Sequence, residues 1–316
     1  MIRSALKRPE AVPAVLTLVA IIVGAIASPY FLDFRYLLDA SSLYVETGLL
    51  ALGMTLVIVC GHIDLSVSST LALVACIVAK LLAAGHPALW VLPLGLCLGS
   101  ALGLLNGFLV AKLKLPSFVV TLGTMAAYRG AAQAMMGAQS VKVPQNLSGI
   151  DFAKVAGTPI PLPLGILMLA AIAIALLLHR TVFGRWLYSV GINERASLFS
   201  GVPTTRVIGT VFTLSGLLAG FAGMVMASRL GVSRWDHARG MEVDAITAVV
   251  LGGASIYGGR GTVLGTMTAL LLVALVHIGM GLSNITAEFQ LTAVGTLLII
   301  SVIVTNVIGR GATRDS

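Results

Sequence analysis

The chain is predicted to fold as an all-α, polytopic bundle of transmembrane helices, and three observations predict it. Of its 316 residues, 58% are apolar and only 10% are charged, with a mean hydropathy of +1.01. A soluble domain carries roughly 25% charged residues. Apolar runs long enough to cross a bilayer, about 20 residues each, recur along the whole length. No stretch has the composition of a soluble domain, so residues 1–316 read as a single integral membrane domain.

The expected spans fall at 11–30, 43–61, 66–84, 88–111, 117–137, 163–179, 207–230, 244–258, 262–281 and 288–308. That gives about ten, one per apolar run. Arg3, Lys7 and Arg8 precede the first run. Ala25-Ile26-Ala27 has the small-x-small form of a signal cleavage site. The run is long for a signal, and Pro29 crowds the site, so it reads as an uncleaved first span. The second and third runs meet at a polar break, Gly61 to Ser69. Asp64 stands in that break, where its carboxylate can cap the next helix by accepting the N–H of Ser66 or Val67. The alternative is that a broken helix lines a solute path, since irregular backbone at depth is tolerated only inside protein or beside water.

Gly95, Gly99 and Gly103 in one run, and Gly216, Gly220 and Gly223 in another, give the small-xxx-small pattern of closely packed membrane helices. Ala138 to Pro161 is rich in proline and glycine and reads as an outer connector or docking surface. Thr181 to Pro203 is a polar, basic island flanked by apolar runs. Short loops suffice to join neighbouring helices, so an island of this size calls for a soluble partner. Segment 231–243 is a second large outer loop. Leu251 to Gly261 forms the glycine-rich second break; it lacks the Lys-Ser/Thr ending of a P-loop and the strand before it, so it does not bind nucleotide.

The net charge is +8. The basic residues sit in short loops and form no continuous face, which argues against nucleic acid as a partner. They fit the positive-inside rule. With the N-terminus inside, Arg3, Lys7, Arg8, Lys112, Lys114, Arg180, Arg185, Arg195, Arg206, Arg260, Arg310 and Arg314 fall inside. Arg35, Lys80, Arg129, Lys142, Lys154, Arg229, Arg234 and Arg239 fall outside or in outer half-spans. Both termini come out cytoplasmic. Cys60, Cys76 and Cys97 all sit in apolar segments, an odd number that argues against a disulfide framework. With no C-x-x-C and no histidine pair at ligand spacing, no metal is expected.

No Ser/His/Asp set or carboxylate pair stands out, so no catalytic residue is assigned. Polar residues within spans include Thr121, Thr124, His277 and Thr292, each of which reads as an interhelical hydrogen bond. Together with their neighbours they suit an uncharged, polyhydroxylated solute. The candidate translocation path is Tyr44, Glu46, His62, Asp64, Ser66, Asn106, Gln133, Gly252, Gly253 and Gln290.

Three motifs carry a resemblance over nearly the whole chain. They are Gly53-Met54-Thr55-Leu56-Val57-Ile58 with Gly61-x-Ile63-Asp64-Leu65-Ser66-Val67; Phe183-Gly184-Arg185 with Gly191-x-Asn193-x-x-Ala196-x-x-x-Ser200-Gly201-Val202; and Ala245-Ile246-x-Ala248-Val249-Val250-Leu251-Gly252-Gly253 with Gly258-Gly259-x-Gly261-Thr262. The chain resembles the permease subunits of bacterial ABC importers for monosaccharides, the ribose type. The resemblance implies a helical bundle of about ten spans in the bacterial inner membrane, working as a homodimer or paired with a similar permease. It implies two ABC ATPase subunits on the inner face, which bind ATP and Mg, and a periplasmic or lipid-anchored sugar-binding protein outside. It places the ATPase-coupling segment within 180–206, at Gly191, Asn193, Glu194, Arg195, Ala196, Ser200 and Gly201. Departures are His62 for a usual glycine, Ser68 for a common glycine and Ser197 for a usual alanine. Ribose, rhamnose, other pentoses or hexoses, or autoinducer-2 all fit, and Ile246 to Gly261 resembles the autoinducer-2 branch slightly more than the others.

The rival readings are a branched-chain amino-acid ABC permease and an ion-coupled secondary transporter using Asp64. A membrane enzyme would need paired acidic or histidine residues at one depth, and the sequence scatters them.

Overall fold

The computed structural model describes residues 11–150, 153–286, 288–290, 292–297 and 299. Arg3, Lys7, Arg8, Arg310 and Arg314, and the end of the 288–308 run, lie outside the described residues.

Helix α1 is Ala11–Ala27. Asp33 caps α2, Phe34–Ser41, by accepting the N–H groups of Arg35 and Tyr36. A 3-10 turn, Ser42–Tyr44, leads from α2 into α3, Val45–Val59, every residue of which is buried. Helix α4 is Val67–Ala83, α5 is Ala88–Ala111 and α6 is Ser117–Met136. Then come α7, Leu162–Arg180; α8, Val182–Ile192; and α9, Glu194–Phe199. Helix α10 is Thr204–Leu230, α11 is Met241–Leu251 and α12 is Val263–Leu282. Described residues from Glu288 to Ile299 are again helical. Strands β1, Val141–Lys142, and β2, Val232–Ser233, pair antiparallel as Val141↔Ser233 and Lys142↔Val232.

The protein is a multi-pass, all-α membrane protein. Five described stretches are long and apolar enough to cross a bilayer: Phe34–Val59, Ala88–Ala111, Leu162–Arg180, Thr204–Leu230 and Val263–Leu282. Shorter apolar helices, at Pro13–Ile26 and Val67–Ala83, accompany them.

The expected span at 244–258 is corrected. Helix α11 has 11 residues, which at 1.5 Å each reach about 16 Å, half of a hydrocarbon core of about 30 Å. It stops because its end runs backbone-to-backbone into α12. A Cβ on Gly252 would lie 2.5 Å from the Gly265 carbonyl carbon, and Gly253 turns the chain away at φ +88°.

Helices α3 and α10 form the centre, with α5 laid along α10. Of the glycines predicted to pack, Gly99 and Gly103 meet Gly216 and Gly220, while Gly223 packs against the Leu71 carbonyl of α4. A Cβ on Gly99 would sit 2.5 Å from the Gly216 carbonyl oxygen, and one on Gly103 would meet the Phe212 carbonyl and lie 3.0 Å from Gly216 Cα. Gly107 extends the ladder to Gly209, 2.9 Å from its Cα. These are backbone-to-backbone contacts that side chains larger than glycine would hold apart.

The bundle has a basic end, with Lys112, Lys114, Arg180, Arg185, Arg195, Arg206 and Arg260. At the opposite end, basic residues are held by local partners. Arg229 Nε lies 2.8 Å from Glu46 Oε1, in a pair whose side chains are 10% and 0% exposed. Arg129 Nη1 donates to the carbonyls of Trp235 and His237 at 2.8 and 2.6 Å. Lys80 Nζ donates to the Met135 carbonyl at 3.0 Å, and Arg239 lies over the Trp235 ring. Arg234 bonds Asp236 through both Nε and Nη2, holding the Asp236 carboxyl below the usual carboxylate range. Five of the eight charges that blur the inside–outside bias thus have a local partner.

Candidate functional site: a junction at the basic end

Thr181 starts α8: its hydroxyl accepts the Gly184 N–H at 3.2 Å. Asn193 starts α9 in the same manner, accepting the Ala196 N–H at 2.9 Å. Gly201, at φ +83°, turns the chain out of α9. The segment expected to couple to an ATPase is therefore two short, capped helices. Ser197, the departure from alanine, is buried and shares a 2.7 Å hydrogen bond with Ser189, which fastens α9 to α8. Lys114 Nζ lies 2.7 Å from Glu194 Oε1, tying α9 to the loop between α5 and α6. Arg195, Ala196, Ser200 and Gly201 are exposed.

Gly191 is buried at the end of α8. A Cβ there would fall on the Val59 carbonyl and 2.6 Å from the Gly259 nitrogen. Gly259 N–H donates to the Val59 carbonyl at 2.9 Å. A Cβ on Gly258 would lie 2.6 Å from the Gly191 carbonyl oxygen and 2.8 Å from Gly61 Cα. Gly61, Gly258 and Gly259 have φ of +84°, +87° and +73°, a region open to glycine. Tyr188 OH closes the contact by donating to the Gly261 carbonyl at 2.6 Å. The three sequence motifs thus meet at one point: the end of α3, the end of α8 and the loop before α12. Sequence reading gave a solute path as one role of the breaks and left their depth open; the structure packs both against Gly191.

Asp64 is buried, and its carboxylate is the hub of the first break. Oδ1 accepts from Ser66 N–H at 3.0 Å and Ser66 Oγ at 2.6 Å; Oδ2 accepts from Ser215 Oγ at 3.1 Å. The bond expected from the Ser66 N–H is present, but it lies before the helix: the N-cap of α4 is Ser66, whose side chain makes no capping bond, so Asp64 does not cap α4. Asn106 Nδ2 donates to Ser66 Oγ at 2.8 Å, and Thr121 Oγ1 donates to the Ile63 carbonyl at 3.2 Å. These bonds reach from the break into α5, α6 and α10. Ser68, another departure, accepts from Arg129 Nη2 at 3.4 Å, and His62 packs beside the Phe212 ring at 5.9 Å.

The ten candidate path residues therefore divide. His62, Asp64, Ser66, Asn106, Gly252 and Gly253 lie in the basic half. Tyr44, Glu46, Gln133 and Gln290 lie in the opposite half, where the Tyr44 ring sits 5.8 Å from that of His277 and His277 Nδ1 is 2.9 Å from Gln290 Oε1. Gln133 is exposed on α6. A cavity of about 470 Å³ between α4, α5, α7 and α10 is lined chiefly by apolar groups such as Leu82, Leu96, Phe221 and Met224. It offers a polar solute few partners; of its lining hydroxyls, Ser228 already donates to the Leu147 carbonyl at 2.5 Å. Cys60, Cys76 and Cys97 are free, and no group of three metal-ligating side chains occurs among the described residues.

What sequence reading missed is apolar. Leu198 and Phe199 are 56% and 90% exposed on α9, Ile192 is 74% exposed beside it, and Tyr257 is 86% exposed at the tip of the second break. The signal was present: Ile192, Leu198 and Phe199 are large apolar residues inside an otherwise polar island.

Residues 36–302 match a family described as branched-chain amino acid transport system / permease component. The chain is 35% identical, over 90% of its length and 89% of the relative's, to the ribose import permease protein RbsC of Bacillus subtilis. It is 34% identical to the autoinducer 2 import system permease protein LsrD of Photorhabdus temperata, over 92% of this chain and 89% of that one. The same protein of Escherichia coli O9:H4 is 34% identical over 93% of this chain and 90% of its own. The chain belongs to this permease family. No solved structure matches it. Membership agrees with the resemblance drawn from the three motifs, and the permease is a transport component.

Proposed function

We propose that this permease is the membrane subunit of an ATP-driven importer for a monosaccharide or sugar-like solute of the ribose or autoinducer-2 kind. The observation that carries it is α9: a capped, exposed helix at the basic end, bonded to α8, whose Gly191 end packs against both helix breaks, in a chain similar over 90% of its length to a ribose import permease. Positive residues mark the cytoplasmic side, so α9 faces the cytoplasm of a bacterial cell, with both termini on that side of the inner membrane. ABC ATPase subunits, which bind ATP and Mg, dock there, and a periplasmic or lipid-anchored binding protein delivers solute at the opposite end. Closure of the ATPases moves α8 and α9. The junction passes that movement to α3 and to the loop before α12, and the path changes its open side. This chain performs no covalent chemistry.

Two copies, or this chain and a similar permease, enclose the path. A branched-chain amino-acid importer is the second reading, favoured by the family's description. The test is a pull-down from detergent-solubilised membranes with wild type and a Glu194→Ala, Gly201→Trp variant. An ATPase subunit that co-purifies with wild type and is lost from the folded variant supports the reading. No ATPase with either form overturns it and favours a gradient-driven transporter. Competition of uptake by ribose, rhamnose, autoinducer-2 or leucine then separates sugar-like solutes from amino acids.

A further inference from the structure

The loop Ser255–Gly261 is a built feature. Ser255 N–H donates to the Arg260 carbonyl at 3.0 Å, Gly258 N–H donates to the Ser255 carbonyl at 2.9 Å, and Tyr257 N–H donates to Ser255 Oγ at 3.3 Å. Gly258 and Gly259 take positive φ, so the chain turns back within a few residues. This closed turn holds Tyr257 at its tip, where the side chain is 86% exposed. The loop is also continuous with the coupling segment. A Cβ on Gly259 would lie 2.5 Å from Ile192 Cγ1, and the Gly259 N–H and the Gly261 carbonyl bond to Val59 and Tyr188. Tyr257, Ile192, Leu198 and Phe199 are therefore large apolar groups exposed at one end, which also carries exposed Arg185, Arg195 and Arg260. Large apolar patches rimmed by polar residues mark interaction sites, and tyrosine and arginine are favoured where one partner anchors on another.

We propose that the Ser255–Gly261 loop is a second docking contact for the ATPase subunit, with Tyr257 as its anchor. This rests on the importer reading and deepens it. The partner surface has an apolar cleft for Tyr257 with an acidic rim facing Arg260. Docking at two points on either side of Gly191 grips α8–α9 and the second break together, so the ATPase moves the loop before α12 directly as well as through α9.

The experiment uses the full permease co-expressed with its cognate ATPase subunit, as wild type, Tyr257→Ala and Tyr257→Trp. Because the side chain is exposed, Tyr257→Ala is expected to unfold at the wild-type temperature while binding the ATPase about tenfold or more weakly. The tryptophan introduced by Tyr257→Trp is expected to change its emission when ATPase is added, and to resist quenching by brominated phospholipid. Wild-type ATPase affinity in Tyr257→Ala overturns the contact while leaving the importer reading intact. Quenching by brominated lipid with and without ATPase also overturns it, and places Tyr257 at the membrane surface. Failure of wild type itself to bind an ATPase overturns both.

Discussion

At the basic end, α3, α8 and the loop before α12 meet through the backbones of Gly61, Gly191, Gly258 and Gly259, with one ion pair, Lys114–Glu194, at the surface. At the opposite end, α3 and α10 are joined by a buried ion pair, Glu46–Arg229, and α6 is clamped onto the 235–237 carbonyls by Arg129. The difference teaches what each end can do. Glycine contacts and single backbone hydrogen bonds can shift by small rotations at low cost. A buried ion pair holds one geometry, because separating its charges in a low-dielectric interior is costly. On the importer reading proposed above, the end that docks the ATPase is joined by contacts that can shift, and the other end by a buried ion pair that resists separation.

The largest expected effect comes from breaking the rigid end. Glu46→Ala leaves Arg229 buried without its carboxylate and should cost about 3–5 kcal/mol, read as a lower unfolding temperature in detergent. Adding Arg229→Met should recover part of the loss; no loss in the single variant would mean that charge does not hold this end. Next is Gly191→Ala. Its Cβ falls on the Val59 carbonyl, and over-packing of this kind costs about 1–3 kcal/mol. Cysteine accessibility should rise at the basic end and stay unchanged near Arg129. Equal changes at both ends would erase the distinction drawn here.

Tyr188→Phe removes the hydrogen bond to Gly261 and keeps the ring, for about 0.5–1.5 kcal/mol. It should raise the ATP hydrolysed per solute imported more than it lowers the unfolding temperature, which sharpens the view of the junction as a relay. Lys114→Ala breaks an exposed pair and should cost under about 1 kcal/mol, with the effect fading in high salt. The smallest effect is from pH. The Asp236 carboxyl is held low by Arg234, so its contribution is present above the unfolded value near 3.9 and is lost as pH falls through the lower folded value. A slight loosening of the 231–240 loop below about pH 4, read by limited proteolysis, checks it.

Much of the fold was legible because a bilayer restricts what a chain can do. Backbone groups in lipid must pair internally, so apolar runs become helices. The glycine spacing in α5 and α10 announced close packing, and the structure places Gly99 and Gly103 against Gly216 and Gly220. The polar island was legible because large loops between spans are costly to leave without purpose. The 244–258 run misled, because apolar composition extends through Leu251 while Gly252 and Gly253 end the helix there. Composition reports burial, and burial in protein looks the same as burial in lipid. The bond from the Ser66 N–H to Asp64 was legible, since the two residues are local. The Asp64 bond to Ser215, 151 residues away, was not.

The sequence by itself determined the membrane class, the helical fold, the basic end and the three motifs, because each follows from local composition or spacing. Only the tertiary structure decided that those motifs meet at Gly61, Gly191 and Gly258, that Glu46 faces Arg229 across 183 residues, and that Tyr257 and Phe199 stand exposed at the same end. Contacts between segments far apart in the chain depend on how the helices pack, and periodicity within one segment carries no record of which neighbour it will meet.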